Sequence, residues 1–128
     1  MRLLLDTHIL LWALIEPDRL NHDVRTLLED REHVVLFSAA SAWEMSIKAA
    51  LGRADFKVAP SEIVAAALDA GFEELPVRSA AALAVATLPH HHRDPFDRLL
   101  VAQAITEPAR LYTADAALAL YSELVVRV

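Results

Sequence analysis

Apolar residues open the chain in short runs, and polar residues cut those runs at intervals that suit alternating strands and helices. Arg2 to Leu5 reads as an apolar strand ending at Asp6, and Thr7 to Leu14 continues with helical character. Asn21 is placed to cap a helix reaching about Arg31, with Val24, Leu27 and Leu28 on one apolar stripe. Val34 to Phe37, β-branched and aromatic, reads as a buried strand. Ser38 or Ser41 opens the next helix, and Gly52 stands where a glycine closes one. Pro60-Ser61-Glu62 starts a further helix that stops at Gly71. Glu73 to Val77 is a short strand in this reading, and Ser79 to Thr87 a small alanine-rich helix. After a loop from Pro89 to Arg93, Asp94-Pro95 supplies an N-cap and a first-turn proline for a helix to about Glu107. Arg110 to Thr113 and Leu124 to Val128 read as the last strands, with a short helix around Ala116 to Tyr121 between them.

This alternation predicts an α/β fold, one domain with a parallel sheet flanked by helices on both faces. Composition refines the picture. The chain has 128 residues, enough for one core, and 55% are hydrophobic, with a mean hydropathy of +0.32. That excess suggests apolar surface covered by a partner subunit. Asp6, His8, Glu16 and Asp18 break the N-terminal apolar stretch well short of the ~18 residues a membrane span needs. An acid at position 6 and the lack of a small-residue cleavage site argue against a signal peptide, so the expectation is a cytoplasmic protein. The absence of cysteine excludes disulfides, thiolate chemistry and cysteine-based zinc sites. Twelve basic against 18 acidic residues give −6, which counts against a nucleic-acid partner unless several acids share a metal site.

Candidate chemistry lies in those acids. Open α/β sheets collect their chemistry at the carboxyl ends of the strands. Asp6 ends the first strand and Asp115 follows the fourth; Asp97 lies in the first turn of its helix, and Glu44 about two turns into the helix after the second strand. Carboxylates meeting there would repel one another, and a hard divalent cation such as Mg²⁺ or Mn²⁺ would remove that cost.

Four segments stand in order: Leu4-Leu5-Asp6-Thr7-His8; Ser38 to Glu44 with Lys48 and Gly52; Asp94-Pro95-Phe96-Asp97-Arg98 on to Ala104; and Tyr112-Thr113-Ala114-Asp115. Together they resemble the PIN-domain ribonucleases, and among them the VapC-type toxins of toxin–antitoxin pairs. The resemblance implies a five-stranded parallel sheet and a metal-dependent endoribonuclease that leaves a 3′-hydroxyl and a 5′-phosphate. It places the four acids at Asp6, Glu44, Asp97 and Asp115, with Asp6 and Asp97 the foremost ligands of Mg²⁺ or Mn²⁺. Thr7 and Asp94 support the site, and Thr113 matches the hydroxyl residue that accompanies the fourth acid. It further implies a homodimer, a cognate antitoxin whose tail occupies the active-site groove, and transfer RNA as substrate, although ribosomal or messenger RNA fits the same chemistry. His8 stands where many members carry Asn.

Simpler roles compete at most of these positions. Asp94 suffices as an N-cap, and Asp97 at N3 suits the helix dipole. Glu44 and Lys48 are spaced for an ion pair, and Asp115 could cap the turn from Ala116. His90, His91 and His92 suit a solvated loop or an RNA-side contact better than a metal site, because consecutive residues seldom converge on one ion. Trp12 and Trp43 suit a core or a dimer interface. Lys48, Arg53 and Lys57, with Arg93 and Arg98, are candidate RNA-phosphate contacts, with an ordinary solvated face as the alternative. A receiver domain would need an acidic pair after the first strand, and an Asp-x-Asp phosphatase a second acid where His8 stands. The remaining alternatives are a catalytically silent antitoxin-binding protein, and an RNA-processing or DNA nuclease using the same site.

Overall fold

The computed structural model describes residues 1–52 and 57–128. Five strands, β1 (Arg2–Leu5), β2 (Val34–Ser38), β3 (Glu73–Leu75), β4 (Arg110–Thr113) and β5 (Val125–Arg127), form one sheet in the order β3-β2-β1-β4-β5. Every neighbouring pair is parallel. The helices are α1 (Thr7–Ile15), α2 (His22–Glu29), α3 (Ala39–Ala50), α4 (Pro60–Asp69), α5 (Ser79–Ala84) and α6 (Pro95–Thr106). Among the described residues, no helix is long and apolar enough to cross a membrane.

Strand alternation divides the core into two layers. Leu3 and Leu5 of β1 point to one face, where they pack with Ile9, Phe37, Met45, Ile63 and Phe72. Leu4 points to the other, against Leu36, Leu100, Val101, Leu111 and Leu118. Both faces of the central strand are therefore sealed, which is why it reads as an unbroken apolar run. Gln103 of α6 is fully buried, accepting from the Ser38 hydroxyl at 2.5 Å and donating to the Pro76 carbonyl at 3.3 Å. It thus fastens α6 to the carboxyl end of β2.

Local signals set most boundaries. Asn21 and Asp94 accept amide hydrogen bonds as N-caps of α2 and α6, and Ser38, not Ser41, caps α3. Gly52 and Gly71 follow α3 and α4 with φ of 70° and 89°, the left-handed closure that glycine adopts without strain. The expected helix at 116–121 is only a 3₁₀ turn at Leu118–Leu120, which no side chain caps. Likewise, the expected helix to Thr87 ends at Ala84 and finishes as a 3₁₀ turn.

Truncating Leu4 to alanine removes a fully buried side chain from the central strand. The expected cost is about 3 kcal/mol, read as a lower denaturant midpoint at unchanged m-value; a loss under about 1 kcal/mol would contradict the two-layer core.

Candidate active site

The strand order reverses its sense between β1 and β4. The chain runs from β1 outward to β2 and β3, then crosses back to β4 on the other side of β1. Such a switch point opens a crevice at the carboxyl ends of its two strands, because the flanking connections leave in opposite directions. Asp6 and Asp115 follow those two ends.

Asp6 is buried and serves as the N-cap of α1, its Oδ1 accepting from the Ile9 amide at 2.8 Å. Its Oδ2 accepts from the Thr113 hydroxyl at 2.5 Å. The same Thr113 oxygen accepts the Asp115 amide at 3.0 Å, so one buried hydroxyl ties the first acid to the loop bearing the fourth. Glu44, buried within α3, accepts from the Thr7 hydroxyl at 2.7 Å and from Lys48 at 2.7 Å. Thr7 also shares a 2.9 Å hydrogen bond with Ser41. Asp94 caps α6 through the Phe96 and Asp97 amides and so orients the turn that carries Asp97. His92 reaches in from the loop, with Nε2 at 2.8 Å from Asp115 Oδ2 and 3.5 Å from Asp97 Oδ2. One ligand-capable atom from each of His92, Asp97 and Asp115 lies within 4.8 Å of the others.

Crowding shows in the acidities. Asp97 is pushed up to about 7, first by burial and then by the charges of Asp94, Asp6 and Glu44, with partial relief from His92. Asp6 is also raised, above all by burial, although Thr113 and the Ile9 amide pull the other way. Slight desolvation pushes Asp115 up, but the Ala117 amide, His92 and Arg127 outweigh it and leave this carboxyl below its ordinary range. A positive charge placed among these carboxyls would relieve the burial and repulsion that keep Asp6 and Asp97 from ionising.

The profile of the PIN domain matches residues 3–124. The chain belongs to the PIN-domain family. No curated protein matches the sequence. Among solved structures, VapBC2 from Rickettsia felis bound to a DNA fragment from its promoter shares the fold at TM-score 0.70 and 15% identity. The match covers 100% of this chain and 98% of that chain. The expected five-stranded parallel α/β architecture is therefore the PIN fold itself.

Within this PIN domain, Asp97 and Asp115 come together with His92, while Asp6 and Glu44 lie outside that group of ligand atoms but close enough for their charges to act on Asp97. The capping roles weighed for Asp94 and Asp115 are present too: Asp94 is a cap, and Asp115 accepts from the Ala117 amide at 2.9 Å. The Glu44–Lys48 pair forms, but on a buried carboxylate, so Lys48 is tied to the site and not to a free basic face. Arg98 is a correction. It is buried, and its guanidinium donates to the Pro89, Val85 and Leu88 carbonyls and to the Tyr121 hydroxyl, which leaves it turned away from any RNA phosphate. Arg93 is exposed, and Arg53 lies outside the described residues. Trp43 is no core residue, being 61% exposed and packed edge-on to Phe96 at 5.2 Å. Of the three histidines read as a solvated loop or RNA-side contact, His92 turns inward to Asp115 and Asp97. Tyr121, whose hydroxyl accepts from the His91 and His92 amides at 3.1 and 2.8 Å, helps bring that loop to the acids.

Because Asp97 has its folded-state value raised from 3.8 to about 7, it stabilises the metal-free fold at low pH. That contribution is lost as pH rises through about 7. The full shift corresponds to about 4 kcal/mol, and solvent screening of a partly open carboxyl reduces it to about 1–2 kcal/mol. Metal-free Asp97→Asn is expected to lose less stability than the parent as pH rises from about 4 to 7 in thermal melts. Parallel curves for the two proteins would contradict the crowding.

Proposed function

We propose that this PIN domain is a metal-dependent endoribonuclease, the toxin of a toxin–antitoxin pair, with transfer RNA as its substrate class. The observation that carries this reading is the meeting of Asp97 and Asp115 beside the switch point, with the Asp97 carboxyl kept from ionising readily by burial and by the charges of Asp94, Asp6 and Glu44. An all-oxygen set of crowded carboxylates fits a hard divalent cation. Asp97 and Asp6 would hold Mg²⁺ or Mn²⁺ together with Asp115. When bound, the ion neutralises phosphate charge and makes a water more acidic, which suits phosphodiester hydrolysis without the 2′-hydroxyl.

The chain's own groups divide the remaining work. Glu44 has both oxygens engaged, by Thr7 and Lys48, so it contributes fixed negative charge and orientation rather than a free base. Asp115 is the more open acid, with 40% side-chain exposure and a carboxyl held below its ordinary range, which suits it to stay ionised as a ligand and makes it a weak base toward an attacking water. Arg93, exposed at the end of the histidine loop, is placed to meet RNA phosphate. Trp43, Ile47 and Leu51 line up along the outer face of α3, 61%, 37% and 71% exposed, and support a homodimer that covers them. The likeness to a VapBC2 assembly supports an antitoxin partner, and with it a cytoplasmic site of action.

Purified protein freed of partner is expected to cut total bacterial RNA at discrete positions with Mg²⁺ or Mn²⁺ and not with EDTA. Asp97→Asn should reduce the rate about 100-fold or more. Intact RNA in every lane from folded protein would replace this reading with a binding-only role.

A further inference from the structure

The two ring nitrogens of His92 have different partners, and the difference assigns their roles. The Asp94 amide donates to Nδ1 at 3.0 Å. A backbone N–H has only a proton to offer, so Nδ1 presents its lone pair and the ring's single proton sits on Nε2. That Nε2–H points at Asp115 Oδ2, 2.8 Å away, with Asp97 Oδ2 at 3.5 Å. Metal-bound histidines show the reverse arrangement: the ligating nitrogen is bare, and the other donates its N–H to a carbonyl or carboxylate. For Nε2 to ligate an ion here, the ring would have to give up the Asp94 amide or shed its only proton.

The surrounding loop holds this orientation in place. Tyr121 accepts the His92 amide at 2.8 Å, and Arg98 donates to the Tyr121 hydroxyl at 3.0 Å and to the Pro89 carbonyl at 2.9 Å. Asp94 is itself committed as the cap of α6, so the amide that fixes Nδ1 moves with the helix that carries Asp97. Arg98, Tyr121, His92 and Asp115 form one chain of contacts from a buried guanidinium to the acidic site.

We propose that His92 is a positioning residue: a fixed Nε2–H donor that holds Asp115 beside Asp97 and stays out of the metal's ligand set. The proposal rests on the reading of the carboxylates as a divalent-cation site. It leaves the ligand set to oxygen, which keeps the preference with Mg²⁺ and Mn²⁺ over the ions that favour imidazole.

Ring-¹⁵N NMR on the wild-type protein tests it, with His92 assigned by the signals missing in His92→Gln. Expected is an unprotonated Nδ1 and a protonated Nε2, both without metal and at saturating Mg²⁺. In calorimetric Mg²⁺ titrations, His92→Ala is expected to bind about 10-fold more weakly, and His92→Gln, which keeps an N–H near the Nε2 position, to recover most of the loss. A proton on Nδ1 with Nε2 shifted as in metal-bound imidazole would overturn the proposal, and so would a glutamine variant as weak as the alanine one. Mg²⁺ failing to bind the wild-type protein at all would instead overturn the metal site on which the proposal rests. A proton on Nδ1 in the metal-free spectrum would overturn the proposal as well, because the donor role rests on Nε2–H. The spectrum needs no variant to be stable, since the wild-type chain carries it.

Discussion

Negative charge is brought together in this fold against its own repulsion, and the donors around it are what make that arrangement possible. Thr113 binds Asp6, Thr7 and Lys48 bind Glu44, His92 binds Asp115, and Asp94 shapes the helical turn of Asp97. Each donor fixes an oxygen that would otherwise turn away from its neighbours. Asp97 has the weakest support, one 3.5 Å approach from His92, and it is the acid driven highest. A carboxyl left in that state is poised to exchange its proton for a metal ion.

The sheet makes this convergence possible at low cost to the core. Because β1 is central and parallel to both neighbours, Leu3, Leu4 and Leu5 are all buried and apolar, and Asp6, the first residue past the strand's end, is free to be polar. The Asp6 amide still donates to the Tyr112 carbonyl at 3.0 Å, so the acid begins where the ladder ends. Its side chain doubles as the cap of α1, which satisfies an otherwise orphaned amide. One residue thus closes a strand, opens a helix and faces the site.

Much of this was legible in the sequence because it is encoded locally. Arg2–Leu5 and Arg110–Thr113 are strands at the bounds their apolar content suggests, and Asn21, Asp94-Pro95, Gly52 and Gly71 punctuate helices through chemistry that needs no tertiary context. The acids were legible through segment order and strand-end position. His92 was not, since three adjacent histidines in a loop give no sign of which one turns inward; the deciding contact comes from Tyr121, far along the chain. Arg98 misled for a related reason. Its partners are mostly carbonyls, which leave no mark on residue type, so a buried structural guanidinium reads like a surface one. Trp43 read as core or dimer interface, and only the packing of α3, which leaves it 61% exposed, removes the first of the two.

The most direct test of the account is proton release on metal binding, measured by calorimetry at pH 7 in buffers of different ionisation enthalpy. Asp97, held near 7 without metal, must ionise to accept a divalent cation. The account predicts about half a proton released by Asp97 per Mg²⁺ or Mn²⁺ bound, with release rising at lower pH and reduced in Asp97→Asn. Binding with no buffer dependence, or no binding, would contradict the claim that a strained acidic site is relieved by a metal ion.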